Sequence, residues 1–358
     1  MSLKSLRVKN FTAFSDLEVE FSPGLNVIIG ENAAGKSHLL KLAYVTAYVV
    51  YESSRREKKL LGEIPAGTDK SSLQRRIAEK LVGVFKPDTL GRLSRRGRGR
   101  ARSQVRTDFG TDGALEFSFA SNSSKDVALL SRPPEARHDA PIFFPTKEVL
   151  SLYPGLTSLY ETRELAIDET YYDLCKFLSA PLLRGKYSTG VAAIVQPLAK
   201  IMGGNVRMSS GRFYLRLPGQ GFMEIPLVAE GFRKLAMLAY LAANGSLTDK
   251  GMLFWDEPEA NLNPKIITLV AESLATLVRG GVQVIAATHS LFFMKELSYL
   301  VERSKKGVPA RFFGLRIDRS EVKLEHGELL EDLQTITALD EVLSQDDREQ
   351  ALFQKGMQ

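Results

Sequence analysis

The stretch Leu25-Asn26-Val27-Ile28-Ile29-Gly30-Glu31-Asn32-Ala33-Ala34-Gly35-Lys36-Ser37-His38-Leu39-Leu40-Lys41-Leu42 decides how this chain is read. Leu25, Val27, Ile28 and Ile29 form a short apolar run of the kind that becomes a buried strand. Leu39, Leu40, Leu42 and Ala43 open a helix directly after Lys36-Ser37, so Gly30 and Gly35 bracket a strand-to-helix turn. A phosphate-binding loop requires that context. Glycine lets the backbone curl close to a triphosphate, and the free N–H groups at a helix start attract negative charge. In such a loop Gly30, Asn32, Ala33, Ala34, Gly35, Lys36, Ser37 and His38 surround the phosphates. Lys36 places a point charge at the outer phosphates and the Ser37 hydroxyl can ligate magnesium. The His38 imidazole reads as a packing or capping group rather than a catalyst.

Two further apolar runs end in polar residues of matching chemistry. Met252-Leu253-Phe254-Trp255 leads into Asp256-Glu257-Pro258, and Gly281-Val282-Gln283-Val284-Ile285-Ala286-Ala287 leads into Thr288-His289-Ser290. Asp256 stands where a direct or indirect magnesium contact is needed, and Glu257 can polarise an attacking water. His289 can sense a γ-phosphate, though a lone histidine is more often structural. Ligands at the carboxyl ends of strands fit the geometry of open α/β sheets.

The chain has 358 residues, enough for one large domain with an insertion or for two smaller domains. Apolar and charged fractions of 44% and 25% are those of an ordinary globular protein. The single cysteine, Cys175, allows neither an intrachain disulfide nor a cysteine metal cluster, which fits a reducing cytoplasm. No run approaches the roughly 18 apolar residues that span a bilayer, and Met1-Ser2-Leu3-Lys4 begins no signal peptide, so no membrane partner is expected. A net charge of +6 permits nucleic-acid binding only where the charge is clustered.

Taken in order, residues 5–9 and 17–21 alternate as two strands around a turn, and the helix after Lys36 is apolar on nearly all sides, which predicts a central position. Residues 72–85 predict an amphipathic helix. Residues 92–106 carry Arg92, Arg95, Arg96, Arg98, Arg100, Arg102 and Arg106 with no acid, either a contact for nucleic acid or an acidic partner or a solvated loop and edge strand. Residues 114–120 and 125–131 pair as strands, and 141–145 form a short buried strand. At its exit Thr146-Lys147-Glu148 faces nucleotide or magnesium, or caps the next helix. Helical patterning follows to about residue 202, then a hairpin signal over 206–223 and a helix over 231–243. Residues 311–317 and 322–324 pattern as strands, and from residue 321 on acids interleave with Leu329, Leu330, Leu333, Ile336, Leu339, Val342 and Leu343 at helical spacing. That pattern is either a helix pair packed on its own domain or a docking surface.

The set formed by residues 30–37, 252–257, Glu259-Ala260-Asn261-Leu262-Asn263-Pro264 and Thr288-His289-Ser290 resembles the ABC-type ATPase heads of the SMC, RecF and Rad50 kind. It is most similar to the OLD-family-like stand-alone ATPases of bacterial anti-phage defence, the PARIS-type ATPase subunit among them. The resemblance implies an α/β fold, a P-loop NTPase of ABC-type ATPase-head class with an antiparallel β subdomain and an inserted helical lobe. Its core would be residues 1–145 and 206–317, with the lobe at 146–205 and an acidic helical segment at 318–358. ATP and Mg2+ are the implied cofactors. Lys36, Glu257 and His289 match catalytic positions, and Ser37 and Asp256 match metal ligands. Residues 261–263 match a loop that crosses a dimer interface, Glu230 and Gly231 occupy the signature position that completes a neighbour's site, and Glu230, Gly231 and Asn261 are implied nucleotide contacts. The signature departs from Leu-Ser-Gly-Gly-Gln and retains one glycine. Lys147 or Glu148 stands where a glutamine is usual. The implied function is an ATP-driven switch that pairs head to head and controls a separate effector, such as a Toprim/OLD-like nuclease. The alternative is a RecF- or SMC-like DNA-binding ATPase of repair or chromosome maintenance.

Overall fold

Period-two alternation at the start of the chain produces β1 (Ser5–Phe11) and β2 (Phe14–Glu20), paired antiparallel with Leu6 opposite Val19 and Val8 opposite Leu17, all four buried on one face. The computed structural model describes residues 2–60, 70–96, 101–132, 140–163, 165–247, 251–304, 307–319 and 321–356. Next come β3 (Leu25–Gly30), α1 (Lys36–Leu60) and α2 (Lys70–Phe85). Strands β4 (Arg102–Asp108), β5 (Ala114–Ala120) and β6 (Ala128–Ser131) complete an antiparallel sheet of order β2-β1-β4-β5-β6. After β7 (Pro141–Phe144) the chain runs through α3 (Tyr153–Thr162), α4 (Glu169–Leu178) and α5 (Thr189–Met202). It then forms a three-stranded meander of β8 (Asn205–Ser209), β9 (Arg212–Leu217) and β10 (Gly221–Glu224). The second half alternates helix and strand: α6 (Glu230–Ala243), β11 (Met252–Asp256), α7 (Pro264–Arg279), β12 (Gln283–Thr288) and α8 (Leu291–Glu302). A hairpin of β13 (Ala310–Asp318) and β14 (Glu321–Gly327) and a terminal helix α9 (Thr337–Gly356) follow.

The main sheet has the order β14-β13-β3-β12-β11-β7, and all its neighbours are parallel except the β13–β14 edge pair. Parallel pairing sends the carboxyl ends of β3, β12 and β11 to one edge, which is where the functional residues gather. Helix α1 lies between this sheet and the antiparallel one. Leu39, Leu42 and Val45 share a core with Ile28, Phe254 and Ile285 on one side and Val8 and Phe117 on the other. Two apolar faces therefore surround the first half of α1, which explains why residues 42–50 are buried on every side. The opposite face of the main sheet, through Val27, Trp255 and Val284, packs on α6, α7 and the inserted helices. Gln283 fastens the two sheets: its buried side chain accepts from Leu3 N at 2.7 Å and donates to the carbonyls of Leu3 and Ser22 at 2.9 and 2.7 Å.

The inserted helices are clamped to α1 by polar groups removed from water. Lys41 pairs with Asp168 at 2.8 Å, and the Tyr44 hydroxyl donates to Asp173 at 2.7 Å. Lys80 of α2 bonds both Glu169, at 2.9 Å, and Asp173. Lys80 and Asp173 are buried at 5% and 1% side-chain exposure.

Four regions differ from, or refine, what the sequence pattern predicts. Residues 206–223 form a meander with two turns rather than one hairpin, because Ser210-Gly211 and Pro218-Gly219 both turn the chain. The arginine stretch is not one loop: Arg92 sits in a 3-10 turn, Arg102 and Arg106 lie on β4, and Arg106 pairs with Glu116 at 2.8 Å. Arg98 and Arg100 lie outside the described residues. The chain beyond residue 318 first adds β14 to the main sheet. The expected C-terminal helix pair is a 3-10 turn and one helix: Leu330, Leu333 and Ile336 are buried, but Val342, Leu343, Leu352 and Phe353 on α9 are exposed. Apolar spacing fixes a face; it does not supply a surface to cover it.

Asp173→Ala would leave Lys80 buried with only Glu169 as its counter-charge. Loss of one partner of such a cluster is expected to cost about 3–5 kcal/mol in chemical denaturation. A loss under about 1 kcal/mol would show that water already screens the cluster.

Candidate active site

The phosphate loop is shaped by two close approaches. Gly30 has φ +151° and lies so near β13 that a Cβ would stand 2.3 Å from the Leu315 carbonyl oxygen. Gly35 has φ +90°, and a Cβ there would meet the Phe14 ring at 2.7 Å. Both positions admit only glycine. Lys36 folds over the loop and donates from Nζ to the Gly30 and Glu31 carbonyls at 2.8 and 2.9 Å. Burial lowers the pKa of this ammonium, and the nearby carboxylates Glu257, Asp256, Glu259 and Glu31 oppose that shift. Asn32 and Ala33 are exposed at the loop tip while Ala34 is buried beneath it. The His38 ring packs against Phe85, with centroids 5.8 Å apart.

Ser37 Oγ donates to Asp256 Oδ1 at 3.0 Å, joining the start of α1 to the end of β11. Asp256 is 8% exposed. Burial pushes its carboxyl up to about 6, with Glu257 adding to the rise and the Ser37 hydrogen bond, Lys41 and Lys36 opposing it. Glu257 turns the chain sharply at φ +50°, a region a non-glycine residue enters only when its surroundings hold it. Its N–H donates to the Ala287 carbonyl at 2.9 Å, and the Glu257 carbonyl accepts from Lys234 Nζ at 3.3 Å. The Glu257 carboxylate is thereby set 2.9 Å from His289 Nδ1.

Glu259 and Lys234, to which the sequence alone assigns no role, hold this arrangement from beneath. Glu259 is buried, and its Oε1 accepts from Thr288 Oγ1 at 2.6 Å, Ser290 N at 3.2 Å and His289 N at 3.4 Å. One acid grips the backbone of His289 and another its ring. Lys234 is fully buried in α6, with its pKa lowered by burial and that shift opposed by Glu259, Glu230, Glu257 and Asp256. The available signal was a lysine followed by the unbroken apolar run Leu235-Ala236-Met237-Leu238-Ala239. Such a charge requires an acidic partner inside.

Glu230, Gly231 and Asn261 form a second group. Asn261 has φ +63° and donates from Nδ2 to Glu230 Oε1 at 2.9 Å; a Cβ on Gly231 would lie 2.8 Å from Leu262 Cδ2. Glu230 and Asn261 are exposed, and no hydrogen bond or ion pair among the described residues joins this group to the phosphate loop. Glu148 does not cap α3, whose start has no side-chain cap; it accepts from Ser151 N at 3.1 Å in the preceding turn and pairs with Arg233 at 3.0 Å, while Lys147 is exposed.

Ser37 and Asp256 offer two hard oxygens at the mouth of the loop. Magnesium takes one or two protein oxygens and completes its shell with phosphate and water, so these residues fit a magnesium ion carried with a nucleotide. Among the described residues no group of three or more His, Cys, Asp or Glu side chains is arranged to hold a metal alone.

A phosphate loop after β3, with carboxylates at the end of β11 in a parallel sheet and an antiparallel sheet packed on α1, defines a P-loop NTPase of the ABC-type ATPase-head class. The chain belongs to the family described as "AAA domain, putative AbiEii toxin, Type IV TA system", which matches residues 25–295; the "AAA ATPase domain" family matches residues 1–46. It is similar to the DNA replication and repair protein RecF of Exiguobacterium sp. at 28% identity over 138 residues, 38% of this chain and 35% of that protein. The RecF of Limosilactobacillus fermentum is 37% identical over 62 residues, 17% of each chain. The matches thus span about a third or less of these relatives' length. Among solved structures, the Smc head domain bound to the C-terminal domain of ScpA from Pyrococcus furiosus aligns with a TM-score of 0.50 at 13% identity, covering 95% of this chain and 99% of that one. An Smc head bound to the C-winged helix domain of ScpA gives 0.50 at 12%, covering 94% and 100%. These structures establish the fold. Together the matches place the chain with the SMC/RecF/Rad50 class of ATPase heads. No helix among the described residues is long and apolar enough to cross a membrane.

A carboxyl whose pKa is raised in the folded state stabilises the fold only while protonated. The Asp256 contribution is present below the ordinary value of about 3.9 and is lost as pH rises through about 6. Asp256→Asn should therefore stabilise the nucleotide-free protein by about 2–3 kcal/mol at pH 8 and leave it unchanged at pH 4. Equal effects at both pH values would contradict the buried charge.

Proposed function

We propose that this protein is an ATP-hydrolysing switch whose heads pair around nucleotide and control a separate effector, a nuclease, in bacterial anti-phage defence. The observation that carries the hydrolytic part is the Glu257–His289 pair, 2.9 Å apart, beside the Ser37–Asp256 contact at the mouth of the phosphate loop. In this reading the discontinuous core of residues 1–145 and 206–317 carries the nucleotide. The lobe at 146–205 and the segment at 318–358 transmit its state.

Lys36 leaves the Gly30 and Glu31 carbonyls to meet the outer phosphates, and the N–H groups of residues 32–38 line the rest of the loop. Ser37 and Asp256 would hold magnesium, which would supply positive charge against the phosphate oxygens. The Glu257 carboxylate accepts a hydrogen bond from the attacking water and orients it, taking on its proton as the water oxygen bonds to the γ-phosphorus and the bond from that phosphorus to the β-phosphate oxygen breaks, so that ADP leaves with the bridging oxygen. His289, with Nδ1 held by Glu257, has Nε2 left to contact the γ-phosphate. Glu230 and Asn261 are exposed, with Gly231 buried behind them, and no hydrogen bond among the described residues ties the group to its own loop, which supports its use against the nucleotide of a second head.

Defence is supported by the family description, a putative AbiEii toxin of a type IV toxin–antitoxin system. An effector is supported by α9: its uncovered apolar positions follow directly on Thr337, whose hydroxyl donates to Glu31 of the phosphate loop at 3.5 Å. The likeness to RecF favours a second reading, a repair ATPase that clamps DNA between paired heads. Retention of duplex DNA only in the presence of ATP, with no effector protein required, would select it.

Lys36→Ala is expected to abolish tight ATP binding, and Glu257→Gln to keep ATP binding while lowering turnover at least about a hundredfold. Isothermal titration and phosphate release separate the two. Undiminished hydrolysis by Glu257→Gln would remove that residue from the role of general base.

A further inference from the structure

The longest run of the chain without an acid is not the arginine stretch at 92–106. Residues 174–223 contain no Asp or Glu but hold Lys176, Arg184, Lys186, Lys200, Arg207, Arg212 and Arg216. The last three lie on the β8–β10 meander, and its register gathers them on one face. Arg207 is opposite Tyr214, Tyr214 opposite Glu224, and Arg216 opposite Phe222, while Arg212 occupies the same face of β9 as Tyr214. The other face carries Val206, Phe213 and Leu215, buried against the head. The meander thus turns three arginines and two aromatic rings outward.

We infer that this outward face binds single-stranded nucleic acid. Arg207, Arg212 and Arg216 are exposed, and no ion pair among the described residues occupies them. Phe222 is 60% exposed, with the Arg216 guanidinium 6.0 Å from its ring centroid and the half-buried Tyr214 ring 6.0 Å away edge-on. Guanidinium groups at the spacing of neighbouring strands suit a phosphate backbone, and an exposed ring standing among them offers a stacking surface to a base. An acidic protein would use the arginines but gain nothing specific from the rings. A duplex keeps its bases stacked inside and has none to offer Phe222. The single acid on the face, Glu224, borders a cavity of about 160 Å³ shared with Arg212 and Tyr214, well below the size of a cofactor pocket and suited to one small ring. The segment at 92–106 lacks this combination, having no aromatic residue and with Arg106 already paired to Glu116.

This surface lies outside the nucleotide site and goes beyond the switch reading, so binding is measured on the full chain without ATP. Fluorescence anisotropy with a labelled fifteen-nucleotide single-stranded DNA, the same sequence as RNA, the matching duplex and inorganic polyphosphate, across a salt series, provides the readout. Single strands are expected to bind more tightly than duplex or polyphosphate. Phe222→Ala should weaken single-strand binding at least about fivefold. The triple substitution Arg207→Ser, Arg212→Ser, Arg216→Ser should lower the slope of log affinity against log salt by about 2. All four positions face solvent or border it, and unchanged circular dichroism and thermal melting check that the variants fold. Equal binding of polyphosphate or duplex, unaltered affinity and salt slope in both sheet variants, or loss of binding on substituting Arg92 and Arg96 instead would each overturn the inference.

Discussion

The contact between Ser37 and Asp256 joins residues 219 positions apart, and the rest of the site depends on it. It sets the first turn of α1 against the end of β11. That placement is possible only because β3 and β11 lie on either side of β12 in a parallel sheet and end at the same edge. Once α1 is fixed there, the apolar circumference of its first half requires a second cover, which the antiparallel sheet provides. A single polar contact and a helix buried on every side over residues 42–50 thus account for the relation between the two sheets.

Around that contact the site is supported through buried ionic groups. Lys234, Glu259 and the turn at Glu257 connect α6, the loop after β11 and the end of β12 within a few side chains. Behind α1 the Lys41–Asp168 and Lys80–Asp173 pairs attach the inserted lobe. Isolated charges at such depth would be costly, and pairing makes them tolerable while fixing geometry.

The residues that act locally were legible in the sequence. Gly30, Gly35, Lys36 and Ser37 announce a phosphate loop because strand, turn and helix are contiguous, and the carboxyl-end positions of Asp256, Glu257 and His289 follow from apolar runs that stop abruptly. Glu259 and Lys234 were not legible as a unit, since their partnership joins α6 to the segment between β11 and α7 and exists only after folding. The terminal helix shows the opposite limit. Its apolar spacing signals a face, yet Leu352 and Phe353 at 69% and 74% exposure find no cover among the described residues. The meander reads as a single hairpin because turn residues mark reversals without saying how many strands they separate. Its outward arginines are visible in the sequence only as an absence of acids.

The central claim is that one head holds half of a nucleotide site and a second head completes it. Sedimentation velocity of Glu257→Gln with and without magnesium and ATP tests this most directly. A nucleotide-dependent shift from monomer to a pair of heads, abolished by adding Lys36→Ala and weakened by Gly231→Ala, is the predicted result. A protein that remains strictly monomeric at every protein and ATP concentration would contradict it.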